Sequence, residues 1–249
     1  MSKVYLLLYY LYRMIKQGKL YLIPTVLSEN SADKVLSPQV REIVSTTDYF
    51  FAEELRTARR FVSSLKTGKP MESLKFFELN KDTTKDAFQK EFEKLPAGVD
   101  IGVMSEAGCP GVADPGAIAV AYAHKINMEV VPLVGPSSIL LALMGSGFNG
   151  QSFCFHGYLP IEKAEKIKVI KALEKESKSR NQTQIFMETP YRNMKMLEEI
   201  LPVLNAETQF CIAAGLTSES QYIKTKKIKE WPKYLPDIHK KPAIFLLQA

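Results

Sequence analysis

The chain has 249 residues, of which 46% are hydrophobic and 24% charged, with a formal net charge of +6. These are the proportions of an ordinary globular protein, long enough for one large domain or two of about 120 residues. They exclude a membrane-embedded chain, because the longest apolar run, Val4 to Tyr12, is broken by Arg13 well short of the ~20 residues of a span.

Residues 1–18 are expected to form an N-terminal extension. They do not read as a secretory signal, since Arg13, Lys16 and Lys19 follow the apolar run where small residues would mark a cleavage site. Lys19 to Thr25, KLYLIPT, predicts a first, central strand stopped by Pro24. The polar stretch after it lacks the glycines of a phosphate-cradling loop. Helices are expected over 38–46, 53–65 and 83–95, and strands over 48–52, 74–79 and 101–104. Glu53 and Glu54 open the second of these helices, where acids suit the helix dipole. In the third, Ala87, Phe88, Phe92 and Leu95 share one face.

The stretch Ile101–Gly116, IGVMSEAGCPGVADPG, is the one around which the chain is organised. Its first four residues are strand-like, and the next twelve hold three Gly, two Pro and two acids, which fit neither a helix nor a strand. A helix over 117–125 follows, with Asp114 expected as its cap and Pro115 at its first position. A shaped loop between a strand end and a helix start is where open α/β sheets bind ligands. A strand over 128–134 then leads into Gly135, Pro136, Ser137 and Ser138, at the start of an apolar helix over 139–144. The two serines fit either a carboxylate site or a plain N-cap.

Gly145 to Gly150, GSGFNG, spells G-x-G-x-x-G. It is rejected as a dinucleotide fingerprint because it follows a helix and precedes a strand. Beyond it, strands are expected over 152–158, 183–187, 209–214, 221–228 and 243–247, with helices over 163–177 and 194–204. Several of these strands lie close enough in sequence to pair antiparallel. The pattern is α/β throughout, divided into domains at 19–131 and 132–249 whose crevice would bind the ligand. Residues 131–249 hold 16 basic against 11 acidic residues. That excess suits a phosphate-bearing partner, or in part a solvated helix face. Three scattered cysteines and three histidines give no metal-ligand spacing. With cysteine usage so sparse, a reducing, cytoplasmic compartment is expected.

Six segments, KLYLIPT (19–25), FAEELR (51–56), SEAGCPGVADPG (105–116), VVPLVGPSSILLAL (130–143), FCFHGYLP (153–160) and IFMETPYR (185–192), together resemble the tetrapyrrole methylase superfamily of S-adenosylmethionine-dependent methyltransferases. Within it, the chain most resembles the branch of 16S rRNA small subunit methyltransferase I, which methylates a cytidine ribose 2′-hydroxyl. The resemblance covers about residues 19–249. It implies two α/β domains of the tetrapyrrole methylase type with S-adenosylmethionine in the inter-domain cleft, a homodimer, and small-subunit ribosomal RNA as partner, with no membrane involved. By position it places Pro24, Glu106, Gly108, Cys109, Val112 and Asp114 on one side of the cofactor. Ser137, Ser138, Met187, Ala214 and Pro242 would line the other.

The chain departs from the branch on its substrate side. It has PTVLSEN where the branch has a GTPIGNL-like turn, AGLTS (214–218) where the branch has an RELTK-like segment, and KPA (241–243) where the branch has KGE. Acceptors other than rRNA therefore stay open: a corrin or other tetrapyrrole, a protein, or none at all in a non-catalytic S-adenosylmethionine-binding module. A ribose hydroxyl must lose a proton as it attacks, so a general base is expected, with Glu53, Glu54 and Glu106 as candidates. Arg56 and Arg192 are candidates for binding substrate phosphate. Cys109 is not read as a nucleophile, because no histidine accompanies it.

Overall fold

The structure is a computed structural model that describes residues 18–249. The expected N-terminal extension, 1–18, lies outside the described residues apart from Gly18. The chain divides into two compact units, one of residues 18–26 and Asn30–Pro136, the other of Leu27–Glu29 and Ser137–Ala249.

The first unit runs β1 (Lys19–Ile23), α1 (Ala32–Val35), α2 (Pro38–Thr46), β2 (Tyr49–Ala52), α3 (Leu55–Ser64), β3 (Lys75–Glu78), α4 (Lys85–Glu93), β4 (Ile101–Met104), α5 (Ala117–Lys125) and β5 (Glu129–Pro132). Its strands pair in parallel in the order β3-β2-β4-β1-β5. Parallel neighbours need long crossovers, which put helices on both faces and bury the strands from both sides. Accordingly Ile23, Phe50 and Met104 enter one core with Val40, Val44, Phe61 and Val62. Leu20, Phe51 and Val103 enter the other with Phe88, Phe92, Ala119 and Ala123. The sequence predicts β1 as the central strand, but β4 holds the middle and β1 stands beside it. Glycine in β4 permits this: a Cβ on Gly102 would lie 2.6 Å from the Phe50 ring and 2.7 Å from Ile23 Cδ1.

The second unit runs α6 (Ser138–Ser146), β6 (Phe153–Tyr158), α7 (Lys163–Arg180), β7 (Thr183–Glu188), α8 (Asn193–Ile200), β8 (Gln209–Ala214), β9 (Tyr222–Lys227) and β10 (Ala243–Gln248). Its sheet has the order β6-β7-β10-β8-β9. Only β6 and β7 pair in parallel; the other three pairings are antiparallel. Alternate residues again feed two cores. Phe186, Phe210, Ile212 and Phe245 pack with Ile170, Leu197, Ile200 and Trp231, while Ile185, Cys211, Ala213 and Leu246 pack with Ala142 and Leu143. The helix expected to reach residue 204 ends at Ile200 and tightens into a 3-10 turn over Leu201–Val203, because Pro202 has no N–H to continue it. Gly147 closes α6 with φ of 77°. GSGFNG is therefore a helix end, as C-terminal glycines commonly are. Among the described residues, no helix is long and apolar enough to cross a membrane.

Candidate active site

In the first unit, the carboxyl ends of the parallel strands converge on the loop that follows β4. Thr25, just past β1, donates its N–H to the Gly108 carbonyl at 2.9 Å. Its hydroxyl reaches the Ser105 carbonyl at 3.4 Å. Ser105 Oγ is turned inward to the carbonyls of Ala107 and Gly108, at 3.3 and 3.2 Å. Gly108 and Gly111 both take φ of 81°, a conformation open to glycine at little cost. The Cys109 thiol donates to the carbonyls of Gly135 and Pro136, at 3.7 and 3.3 Å, and so pins the loop to the segment after β5. Burial, with Asp114 adding, pushes this thiol above its ordinary value. It is thus an un-ionised hydrogen-bond donor, not an activated nucleophile.

Asp114 does not cap α5 as expected. The cap position is Gly116, which makes no side-chain hydrogen bond. Asp114 Oδ1 instead accepts the N–H groups of Gly111 and Gly116, both at 2.7 Å, and so holds the loop closed on itself. An Asp two residues before an N–H competes well for it in turns, which sequence reading mistook for a cap. Its other oxygen, Oδ2, is buried and has no hydrogen-bond partner among the described residues. Burial raises the Asp114 carboxyl above its ordinary value, against the two glycine N–H groups and, least of all, the side chain of Ser105, whose hydroxyl lies within hydrogen-bond distance of the Ala107 and Gly108 carbonyls and not of Oδ2.

The candidate bases separate clearly. Glu54 caps α3: its carboxylate accepts from Arg56 N and Thr57 N, at 3.1 and 2.7 Å, and from the Thr57 hydroxyl at 2.9 Å. Those bonds, the Thr57 N–H foremost, hold its carboxyl below the ordinary value, which makes it a poor proton acceptor. Glu53 turns toward the loop, where Oε2 accepts the Glu106 N–H at 3.4 Å. Burial raises its carboxyl, with Asp114 and Glu106 adding to the rise. Glu106 and Val112 are exposed, Pro24 and Gly108 buried, and Arg56 exposed on the first turn of α3.

In the second unit, Met187, Ala214 and Pro242 gather at one end of the sheet. The register places Ala243 opposite both Glu188 and Ala214, and Pro242 accepts the Gly215 N–H at 2.9 Å. Ser137 caps α6, its side chain accepting Leu140 N–H at 3.4 Å, and Ser138 is the first residue of that helix. In the AGLTS segment, Gly215 and Thr217 take φ of 58° and 68°, and Ser218 Oγ closes the turn on the Gly215 carbonyl at 2.6 Å.

Arg192 folds back on Glu188. Its Nε and Nη2 donate to Glu188 Oε1 at 2.9 and 2.6 Å, while Glu188 Oε2 is buried without a partner among the described residues. Two carboxylates with an unsatisfied buried oxygen among the described residues, Asp114 and Glu188, thus lie among or beside the sequence-assigned residues. The sequence gives Asp114 a helix cap and, by resemblance, a place beside the cofactor, and gives Glu188 no role. Its only signal was its place at the head of ETPYR.

An acceptor oxygen without a donor among the described residues, in a loop shaped by positive-φ glycines, fits a ligand that brings hydroxyl or ammonium donors, as S-adenosylmethionine does. No family model matches this chain. It is similar to the ribosomal RNA small subunit methyltransferase I of Haemophilus influenzae, 30% identical over 218 residues that cover 86% of this chain and 72% of that protein. The protein of the same name from Bacillus subtilis is 32% identical over 202 residues, 81% of this chain and 65% of that one. Among solved structures, the methyltransferase CobJ shares the fold with a TM-score of 0.62 at 15% identity, covering 93% of this chain and 94% of that one. A uroporphyrin-III-C-methyltransferase from Thermus thermophilus does so at 0.53 and 15%, covering 93% and 92%.

Proposed function

Because the chain belongs to the ribosomal RNA small subunit methyltransferase I family, we propose that it methylates small-subunit rRNA at a cytidine ribose 2′-hydroxyl. It is an S-adenosylmethionine-dependent methyltransferase on the tetrapyrrole methylase fold. The observation that carries the reading is the loop after β4, closed by Asp114 on its own glycines while keeping one buried carboxylate oxygen unpaired. The relatives' shared activity and the basic excess of residues 131–249 support RNA as the acceptor.

The residues assigned to cofactor are Pro24, Glu106, Gly108, Cys109, Val112 and Asp114 in the first unit, and Ser137, Ser138, Met187, Ala214 and Pro242 in the second. When bound, S-adenosylmethionine supplies an electrophilic methyl group on a sulfonium. Asp114 Oδ2 would accept a donor from it, and the backbone of Gly108 and Cys109, fixed by Thr25 and by the Gly135 and Pro136 carbonyls, would hold it. Glu53 takes the proton of the attacking hydroxyl. Its raised carboxyl lies nearer the working pH than an exposed glutamate, which favours a general base. The remainder of catalysis is orientation, worth several powers of ten when reactants are held in line.

The test is transfer of tritium from labelled S-adenosylmethionine to deproteinised small-subunit RNA and to intact small subunits, followed by mapping of the modified nucleotide. Label on a cytidine ribose supports the reading. Cofactor binding by calorimetry with no label in either RNA refutes the acceptor and returns the tetrapyrrole or protein alternatives.

A further inference from the structure

Tyr191, the aromatic residue of ETPYR, is 71% exposed, yet it is held from two sides. Lys240 Nζ lies 5.8 Å from its ring centroid, and the His239 ring meets it edge-on at 6.2 Å. The two loops that carry these residues are tied together. Lys240 donates its N–H to the Pro190 carbonyl at 3.1 Å. Asn193, fully buried, donates from Nδ2 to the carbonyls of Lys241 and Ile238, at 2.7 and 3.3 Å. Next to Tyr191, Arg192 is fixed by Glu188. Lys240 itself takes φ of 61°, a left-handed conformation that residues with a side chain disfavour. Strain of that kind persists where the surroundings enforce it, and it gathers at working sites.

Position matters as much as rigidity. Glu188 ends β7 and pairs with Ala243 at the start of β10. The Tyr191 platform therefore stands at the end of the sheet that carries Met187, Ala214 and Pro242. A second such pair, half-buried Lys226 with Nζ at 4.2 Å from the ring of exposed Tyr234, lies toward the other end, where Lys226 is registered opposite Phe210. Flat aromatic faces beside cations are what proteins use to hold single-stranded RNA, with bases stacking on the ring and phosphates meeting the charge.

We infer that Tyr191 is a stacking platform for an unpaired base of the RNA substrate, and that Lys240 neutralises the phosphate beside that base. The inference rests on the RNA reading above and adds the residues that hold the strand next to the cofactor end of the second unit. Beside the cation and the His239 ring, most of the Tyr191 side chain stays open to a base. Arg192, committed to Glu188, acts here as a brace for the loop.

The experiment measures binding of deproteinised small-subunit RNA to the full-length chain at several salt concentrations, with methyl transfer and S-adenosylmethionine affinity measured in parallel. Tyr191→Ala should weaken RNA binding by about 5- to 100-fold, the range for loss of one stacked base, and Tyr191→Phe should restore it. Tyr191→Leu, which keeps apolar bulk without a π face, should behave like alanine. Lys240→Ala should lower the salt slope by about one, while Lys226→Ala leaves affinity within about twofold of wild type. Cofactor affinity should stay at the wild-type value throughout, which also certifies the fold. Wild-type RNA affinity in Tyr191→Ala and Lys240→Ala overturns the platform and leaves the rRNA assignment intact. A wild-type chain that neither binds nor methylates the RNA overturns both.

Discussion

Gly135→Ala tests whether the segment after β5 is packed against the end of β1 as closely as the site requires. The added Cβ would lie 2.2 Å from Pro24 Cβ and 2.3 Å from Pro24 Cγ, whereas carbon atoms settle at about 3.5–4.0 Å. Something must retreat by more than about an ångström, and Pro24 cannot swing aside because its ring is part of the backbone. The displacement then passes to Thr25, whose N–H holds Gly108 at 2.9 Å, and to the Gly135 carbonyl that accepts the Cys109 thiol. Overpacking of this kind costs about 1–3 kcal/mol, which in a chain of this size lowers the melting temperature by about 2 to 12 °C. A shift of about 1 Å in the cofactor loop should also reduce methyl transfer on the order of 100-fold. Gly150→Ala is the control, because a Cβ there meets nothing within 4 Å among the described residues. Thermal melts followed by far-ultraviolet circular dichroism, with calorimetric titration of S-adenosylmethionine, measure both effects. A Gly135→Ala protein that melts with the Gly150→Ala control and binds cofactor as tightly as wild type would refute the packing argument.

Trp231, the chain's one tryptophan, is fully buried and donates Nε1–H to the Phe210 carbonyl at 3.1 Å. Its emission should be blue-shifted and resistant to acrylamide, and Trp231→Ala should cost about 3–5 kcal/mol in urea unfolding; ready quenching would contradict the burial. Burial raises the Glu53 carboxyl above its ordinary 4.5, so the folded state binds the proton more tightly than the unfolded state. The stability this provides is complete below about pH 4.5 and is lost as pH rises through the folded value. Glu53→Gln removes that decline, so its stability relative to wild type should grow from pH 4 to pH 8 in urea titrations, and a constant difference would count against it. Lys166 and Glu199 form a 2.7 Å ion pair with side chains 5% and 11% exposed. Lys166→Met should destabilise more than the double change Lys166→Met with Glu199→Leu, because the single change strands a desolvated carboxylate; additive losses would deny the coupling.

The candidate site was partly legible because its loop is written in residues with strong local rules. Gly108 and Gly111 announce positive φ, and the strand IGVM followed by SEAGCPG announces a ligand loop at a strand end. Asp114 shows where local rules stop. Its spacing fits a helix cap and an Asp turn equally well, and only the position of Gly111 N–H decides for the turn. Glu53 and Glu54 are adjacent acids with the same helix-start signature. Their different roles follow from direction: Glu54 turns onto its own helix N-terminus and Glu53 onto the Glu106 N–H. The Tyr191 platform left no sequence signal, since its partners His239 and Lys240 lie almost fifty positions away and meet it through a turn that composition does not predict.

By itself the sequence determined the alternation of strands and helices, the α/β class and the methyltransferase family. Each of these rests on residue chemistry that acts within a few positions: apolar runs, glycine and proline punctuation, and motifs in a fixed order. Tertiary structure alone decided strand order. Placing β4 in the middle of the first sheet depends on Gly102 fitting between Phe50 and Ile23, a contact among residues far apart in the chain. It also decided which buried oxygens of Asp114 and Glu188 stay unpaired, because hydrogen-bond satisfaction is a property of the whole packed neighbourhood and not of any segment read alone.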